Sequence, residues 1–178
     1  MNATTTAASK KAVKKEEKNM RQFLDKVVIN VGTGRASQLQ GFEDKILPEI
    51  RKDIATISGQ SAQIRRAKKS IAGFKIREGQ IVGVRTTLRG QKMVDFFERL
   101  VNIVLPRVRD FAGLEIKNVD QGGVLNIGLR EHMVFPEIDP DTTHHYFPLQ
   151  VSIVPKIKDR EEALNMYRSL GVPLKKEA

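Results

Sequence analysis

The sequence predicts an α+β fold, with a largely antiparallel sheet, helices packed on one face and a long basic loop between two strands. Two observations predict it. Strand-like and helix-like segments alternate along the 178 residues, and each long strand-like segment is apolar on one face only. Because strands covered on both sides read as near-continuous apolar runs, one-sided strands favour an antiparallel sheet that leaves one face open.

The first elements are a strand and a helix. Alternating valine and isoleucine over residues 26–31 predict the strand, and the glycine-rich residues 32–34 end it. Apolar residues at helical spacing from 42 to 57 predict an amphipathic helix that ends at Gly59. Pro48 lies inside this pattern, so it either kinks the helix or delays its start.

The middle of the chain predicts two strands and a second helix. A short strand is expected around residues 62–66 and a longer one over 81–88, joined by a basic loop over 68–80. A stripe of methionine, phenylalanine, leucine and valine then predicts a helix from 91 to about 110, which Pro106 bends or ends.

The last elements are two strands and a helix. Residues 124–130 and 149–154 alternate between apolar and polar side chains, as in half-buried strands. Residues 159–170 predict a final helix, with Asp159 as its cap and Gly171 as its stop.

The open face of the predicted sheet is polar. Simple solvation of a strand would more typically use lysine and glutamate, whereas this face carries amides, hydroxyls and arginines: Asn30, Arg85, Thr87, Asn126, Arg130, Gln150 and Ser152. Such groups form hydrogen bonds to bases, 2′-hydroxyls and phosphates. The face is therefore either an RNA-binding surface, which we favour, or an ordinary solvated exterior.

The net charge of +10 is concentrated in two segments. Residues 1–24 have six Lys/Arg and two Glu, and residues 60–92 have nine Lys/Arg and one Glu, whereas the remainder has 16 basic and 18 acidic residues. Two basic foci on a neutral body indicate a polyanionic partner, although a merely soluble basic protein is the alternative. Residues 1–19 predict a tail that is disordered alone, which either orders on RNA or stays solvated, and residues 20–178 predict a single domain.

The second focus contains a basic loop. Its cations lie close enough to meet successive phosphates, and Gly73 and Gly79 let the chain turn and approach a ligand closely. Phe74 either stacks on a base or sugar, or plugs the edge of the core.

Other motifs indicate no enzyme, metal or cofactor. The absence of cysteine excludes disulfides and thiolate catalysis. Residues 32–34 lack the remaining elements of a nucleotide-binding loop. His144 and His145 are adjacent, so they are a poor metal pair even with Asp139 and Asp141 nearby. We expect no membrane segment and no secretory signal, because no apolar run is long enough and no apolar stretch follows the basic N-terminus.

Eight stretches between about residue 26 and 171 resemble, in order, the family of bacterial-type large-subunit ribosomal protein five, here called the L-five family. They are Asn30-Val31-Gly32-Thr33-Gly34, Ile57-Ser58-Gly59-Gln60, Ala67-Lys68-Lys69-Ser70-Ile71-Ala72-Gly73-Phe74-Lys75-Ile76-Arg77-Glu78-Gly79, Thr87-Leu88-Arg89-Gly90, Phe96-Phe97-Glu98-Arg99-Leu100, Pro106-Arg107-Val108-Arg109-Asp110-Phe111, Gly128-Leu129-Arg130-Glu131 and Phe135-Pro136-Glu137-Ile138-Asp139.

The resemblance implies a cytoplasmic, non-catalytic constituent of the large ribosomal subunit, in contact with 23S rRNA and with other proteins of the central protuberance. It implies binding to 5S rRNA through the sheet face and adjoining residues, where we place Asn30, Gln60, Arg65, Arg85, Thr87 and Arg89. It implies contact of the basic loop with P-site tRNA, through Lys68, Lys69, Ser70, Gly73, Phe74, Lys75 and Arg77. It also implies a bridge to small-subunit protein thirteen, which we place after Asp110.

The chain departs from the family pattern in two places. A tail rich in lysine, alanine and threonine stands where the family has a longer helical segment, so no N-terminal contact is carried over. Gln63 and Arg65 stand where the family tends to have an apolar residue and a small hydroxyl residue, and Arg65 adds a candidate phosphate contact. Two other functions remain as alternatives: a free-standing RNA- or DNA-binding regulator, and a metal-dependent nuclease that uses the histidines and aspartates named above.

Overall fold

The computed structural model describes residues 20–34, 36–141, 143 and 145–175. Five strands form one sheet in the order β2-β3-β1-β5-β4, and every pair of neighbours is antiparallel. This confirms the predicted α+β fold. The strands are β1 (Leu24–Gly32), β2 (Gln63–Arg66), β3 (Ile81–Leu88), β4 (Leu125–Leu129) and β5 (Leu149–Pro155).

In the part of the chain that the structure describes, three helices of ten or more residues accompany the sheet: α1 (Leu47–Ser58), α2 (Gly90–Arg99) and α3 (Arg160–Ser169). A π-helical turn, Phe42–Ile46, leads directly into α1, and Pro48 lies in the first turn of α1, so the α-helix starts later than the apolar pattern that begins at residue 42. Of the two effects expected of this proline, a delayed start is therefore the one observed. The second predicted helix comprises α2, a π-helical turn and a last turn, Leu105–Arg107, and it ends before residue 110.

The caps predicted for the helices are confirmed. The Asp159 carboxylate accepts the backbone N–H groups of Glu161 and Glu162 at 2.7 and 3.2 Å and so caps α3. Gly171 follows α3 with φ 80°, and Gly59 ends α1 with φ 64°. Both conformations favour glycine, which is why each helix ends at that position.

The core lies between the helices and one face of the sheet. Alternate residues of each strand and the apolar stripes of the helices are buried there; they include Val27, Ile29, Val84, Leu88, Val151 and Ile153 from the sheet, and Ile54, Ile57, Phe96, Phe97, Leu100 and Tyr167 from the helices. The other face of the sheet is left without a covering layer by the described residues. This arrangement follows directly from strands that are apolar on one face only.

Two expectations fall on residues outside those described: the tail over 1–19 and the placement of His144. Within the described ranges, none of the helices has both the length and the apolar character that a membrane crossing requires.

Candidate nucleic-acid interface

The polar residues predicted from the strand alternation lie together on the open face of the sheet. The strand register places five residues opposite one another in a row across all five strands: Gln63, Arg85, Asn30, Gln150 and Gly128. Four inter-strand spacings make this row about 19 Å wide. Because opposite side chains in antiparallel strands are close neighbours, the row is a nearly continuous strip of amide and guanidinium groups.

Two further rows flank the first. On one side lie Thr87, Val28, Ser152 and Asn126, and on the other, next to the basic loop, lie Arg65, Gly83 and Gly32. At Gly32 and Gly128 a Cβ atom would meet no heavy atom within 4 Å. Space for a side chain therefore exists at both positions. Because glycine has no side chain, the backbone there is bare and a flat ligand can approach it closely.

The two halves of the face differ in how their polar groups are engaged. On β4 and β5, Asn126 Oδ1 accepts from Ser152 Oγ at 2.6 Å and from Gln150 Nε2 at 3.4 Å. On β2, β3 and β1, the side chains of Gln63, Arg85 and Asn30 make no hydrogen bond to any residue that the structure describes. The β2–β3–β1 half is therefore the half with free donors and acceptors.

Arg85 lies at the centre of this half. Its side chain is half-buried between the cross-strand neighbours Gln63 and Asn30. Its Nε is buried and has no hydrogen-bond partner among the described residues. Since buried donors are almost always paired in folded proteins, an unpaired guanidinium nitrogen here favours a function in ligand binding.

Gln60 and Arg89 flank the same half. Gln60 follows the left-handed Gly59, and its Nε2 donates to the backbone oxygen of Thr87 at 3.3 Å. Arg89 is exposed directly after β3, where α2 begins. All six predicted sheet-face residues thus lie on, or at the rim of, the β2–β3–β1 half. Sequence reasoning missed that Gln63 belongs to the central row, although its alternation with Arg65 carried that signal.

The basic loop is a structured hairpin, residues 67–80. Ile71 and Ile76 exchange backbone hydrogen bonds of 2.9 and 3.1 Å, and Ala67 accepts from Gly79 and donates to Gln80 at its base. A short 3-10 turn, Ala72–Phe74, forms the tip, and Lys75 adopts φ 54° after it. The loop is therefore held in one shape by its own backbone.

The hairpin surface is basic and partly apolar. Lys68, Lys69, Lys75 and Arg77 are exposed, and none forms an ion pair with a residue that the structure describes. Phe74 is 72% exposed. The alternative in which Phe74 plugs the core edge is wrong, because the tip extends beyond the core. The predicted loop residues Ser70 and Gly73 are exposed on the same hairpin.

The buried titratable pair lies away from both surfaces. His132 is fully buried, stacks on the Phe147 ring at 3.9 Å, and places Nε2 3.5 Å from Asp53 Oδ2 on α1. Burial lowers the pKa of His132 and raises the pKa of Asp53, and in each case the charge of the partner opposes the shift. The pair links the irregular segment before β5 to α1, and its position is that of a contact that supports the fold.

The residues named for a nuclease form no metal site in the described part of the chain. No three histidine, aspartate or glutamate side chains gather there closely enough to hold an ion. His145 Nε2 instead lies 3.8 Å from Glu49 Oε2, and Asp139 Oδ1 accepts the backbone N–H of Asp141 at 3.0 Å.

Comparison with known proteins gives consistent matches along the chain. Residues 18–77 match the family model described as ribosomal protein L5, and residues 81–174 match the model of the C-terminus of the same ribosomal family. Proteins named large ribosomal subunit protein uL5 are similar. Those of Halothermothrix orenii and Rubrobacter xylanophilus are each 45% identical, over 84% and 85% of this chain and 82% of their own length. That of Trichodesmium erythraeum is 44% identical over 89% of this chain and 86% of its own.

These matches and the open polar face define an RNA-binding, structural protein of the ribosome, and hence a cytoplasmic component of translation. More particularly, the chain belongs to the ribosomal protein L5 family of the large subunit, which confirms the resemblance seen in its motifs. The family is one of structural proteins rather than enzymes.

Proposed function

We propose that the chain is a structural constituent of the large ribosomal subunit that binds 5S rRNA through the β2–β3–β1 half of its open sheet face. The observation that carries this proposal is the central row. Gln63, Arg85 and Asn30 stand side by side with their polar groups unengaged within the described structure. On β4 and β5, by contrast, Gln150 of the same row and Ser152 of the neighbouring row both donate to Asn126.

The chemistry of this half suits structured RNA. Amides and a hydroxyl both donate and accept hydrogen bonds, and a 2′-hydroxyl or a base edge in a wide, shallow groove requires both. Arg65, Arg85 and Arg89 add charge for phosphates. The bare backbone at Gly32 lets a ribose or phosphate approach the sheet.

The hairpin 67–80 forms a second contact in this proposal, with the P-site tRNA. Its exposed cations suit a phosphate backbone, and the exposed Phe74 suits stacking on a base or sugar. Because the cations lie on the hairpin and the amides on the sheet, the two surfaces are separable by mutation.

Further partners follow from the family resemblance. The segment after Asp110 is a candidate for the bridge to small-subunit protein thirteen: Asp110 has φ 55°, and only a short 3-10 turn, Ile116–Asn118, interrupts the irregular backbone before β4. Contacts with 23S rRNA and with neighbouring proteins of the central protuberance complete the proposal.

The sheet-face contact is tested by titrating labelled 5S rRNA with the wild-type chain and with Asn30→Ala and Thr87→Ala variants. Each variant removes one or two hydrogen bonds and should weaken binding about 5- to 20-fold. Thr56→Ala is the matched control, because Thr56 is an exposed threonine on α1, away from the sheet face. Equal affinities for all four proteins would contradict the assignment of this face.

The division between the surfaces is tested with the double variant Lys68→Ala/Lys69→Ala. It should leave 5S rRNA binding largely intact and weaken tRNA-dependent steps in subunits that contain it. Arg51→Ala/Lys52→Ala removes the same charge from the exposed side of α1 and controls for net charge. If the hairpin variant abolishes 5S rRNA binding while this control does not, the two surfaces do not divide the RNAs as proposed.

A further inference from the structure

The hairpin 67–80 joins the rest of the molecule at a weak edge of the sheet. β2 has four residues and, among the described strands, pairs with β3 alone. Its register shifts between Arg65 and Arg66. A short edge strand with an irregular register resists bending poorly. The direction of the hairpin therefore depends on other contacts at its base.

One glutamine makes such a contact. Gln80 is the last hairpin residue before β3, and its side-chain Oε1 accepts the backbone N–H of Arg77 at 3.0 Å. Its Nε2 donates to Ser37 Oγ at 2.9 Å. Because a backbone N–H can only donate, the amide oxygen is the group that faces Arg77, and Nε2 is left to donate to Ser37.

The serine that receives this bond is itself held. Ser37 Oγ donates to the backbone oxygen of Gly34 at 2.9 Å, and the Ser37 N–H donates to the backbone oxygen of Thr33 at 2.8 Å. The N–H of Thr33 in turn donates to the oxygen of Val82 in β3 at 3.0 Å. Among the described residues, the bond from Gln80 to Ser37 is the one side-chain hydrogen bond that joins the hairpin to a residue outside β2 and β3.

We propose that Gln80 is a positioning residue: its amide locks the hairpin to the turn that follows β1, and thereby fixes the hairpin tip relative to the polar sheet face. The turn follows directly on the strand that carries Asn30. The lock thus couples the positions of the two surfaces through one neutral hydrogen bond.

The lock is tested on the full chain without RNA. Because the chain has no cysteine, Ala72→Cys at the tip and Thr56→Cys on α1 provide two unique sites for nitroxide labels. Pulsed electron paramagnetic resonance then measures the distribution of distances between them. The wild-type background should give one narrow distribution, and Gln80→Ala should broaden it, with the locked population reduced about fivefold relative to the rest.

Three further variants separate the lock from a general loss of structure. Ser37→Ala should broaden the distribution as Gln80→Ala does, and it serves if the glutamine variant fails to fold. Ser37→Thr keeps a hydroxyl and should restore the narrow distribution. Gln38→Ala removes an exposed amide next to the network and should change nothing. An unaltered distribution in both Gln80→Ala and Ser37→Ala overturns the proposal, as does equal broadening in Gln38→Ala.

The consequence for tRNA rests on the proposed function. Large subunits assembled with the Gln80→Ala chain should hold P-site tRNA more weakly, while isolated Gln80→Ala protein binds 5S rRNA as the wild type does. A broadened distance distribution with unchanged tRNA affinity supports the lock and contradicts the tRNA contact of the hairpin. An unchanged distribution contradicts the lock whatever the tRNA affinity is.

Discussion

Replacement of Arg85 by methionine should separate folding from RNA binding. Methionine keeps a long unbranched side chain over the sheet but removes the guanidinium and its charge. The Nε of Arg85 is buried without a hydrogen-bond partner among the described residues. Its removal relieves an unpaired donor, so the free energy of unfolding of the free protein should be unchanged or raised by up to about 1 kcal/mol.

The same change should weaken 5S rRNA binding substantially. A hydrogen bond to a charged group contributes about 1.5–3 kcal/mol, which corresponds to a loss of roughly 10- to 100-fold in affinity. Loss of one phosphate contact should also reduce the slope of log affinity against log salt concentration by about one. Filter binding or fluorescence anisotropy at several salt concentrations, together with urea unfolding, measures all three quantities.

Arg51→Met on the exposed side of α1 is the control for net charge. It should alter neither the affinity nor the salt slope by comparable amounts. Two results would contradict the proposed role of Arg85. A clear loss of stability would show that the guanidinium supports the fold, and an unchanged salt slope with unchanged affinity would remove it from the RNA contact.

Three other predictions concern stability and binding. Gly128→Ala has room for its methyl group, so the free energy of unfolding should be unchanged or about 0.5–1 kcal/mol higher. At Gly83, by contrast, a Cβ would lie 2.7 Å from the oxygen of Val31, so Gly83→Ala should lower the urea midpoint. A higher midpoint for Gly83→Ala would contradict the close approach of the strands. Burial lowers the pKa of His132 below its usual 6.5, so the unfolded chain takes up this proton before the folded chain does, and the folded protein should lose stability as the pH falls below about 6.5. The raised pKa of the half-buried Asp53 partly offsets this loss at lower pH. His132→Phe should therefore flatten the pH dependence of the free energy of unfolding, measured with urea, between about pH 7 and 5, and an equal slope in the variant would contradict this explanation. The buried Tyr167 hydroxyl lies 2.9 Å from the backbone oxygen of Gly123 and 3.2 Å from that of Ile153. Tyr167→Phe should therefore lower the free energy of unfolding by about 1–2 kcal/mol and leave the 5S rRNA affinity intact. A loss of affinity together with stability would indicate that the core and the sheet face are coupled.

The periodicity of the apolar residues, together with the residues that cap or end helices, predicted most of the fold. The alternation in residues 81–88 gave the bounds of β3, and Asp159 and Gly171 gave the ends of α3 because capping is a local interaction. The end of the second predicted helix was less accurate, since its last turn stops at Arg107, directly after Pro106, and Val108 is extended.

The candidate site was predictable in composition but not in arrangement. Alternation placed Asn30 and Arg85 on the same face, yet the register that sets them opposite one another, with Gln63 beyond, depends on pairing between distant strands. The engagement of Asn126 by Ser152 depends on the same long-range pairing. No local signal indicated that Gln80 reaches Ser37, since 43 residues separate them and neither belongs to a regular pattern.

The open sheet face is proposed to recognise 5S rRNA in particular. Competition of labelled 5S rRNA against tRNA and against duplex RNA of unrelated sequence, across a salt series, tests it most directly. We expect the preference for 5S rRNA over both competitors to reach roughly a thousandfold and to survive moderate salt, because hydrogen bonds to the RNA add to the attraction between charges. Equal affinity for all three RNAs, falling together with salt, would contradict it and indicate a general nucleic-acid-binding protein instead.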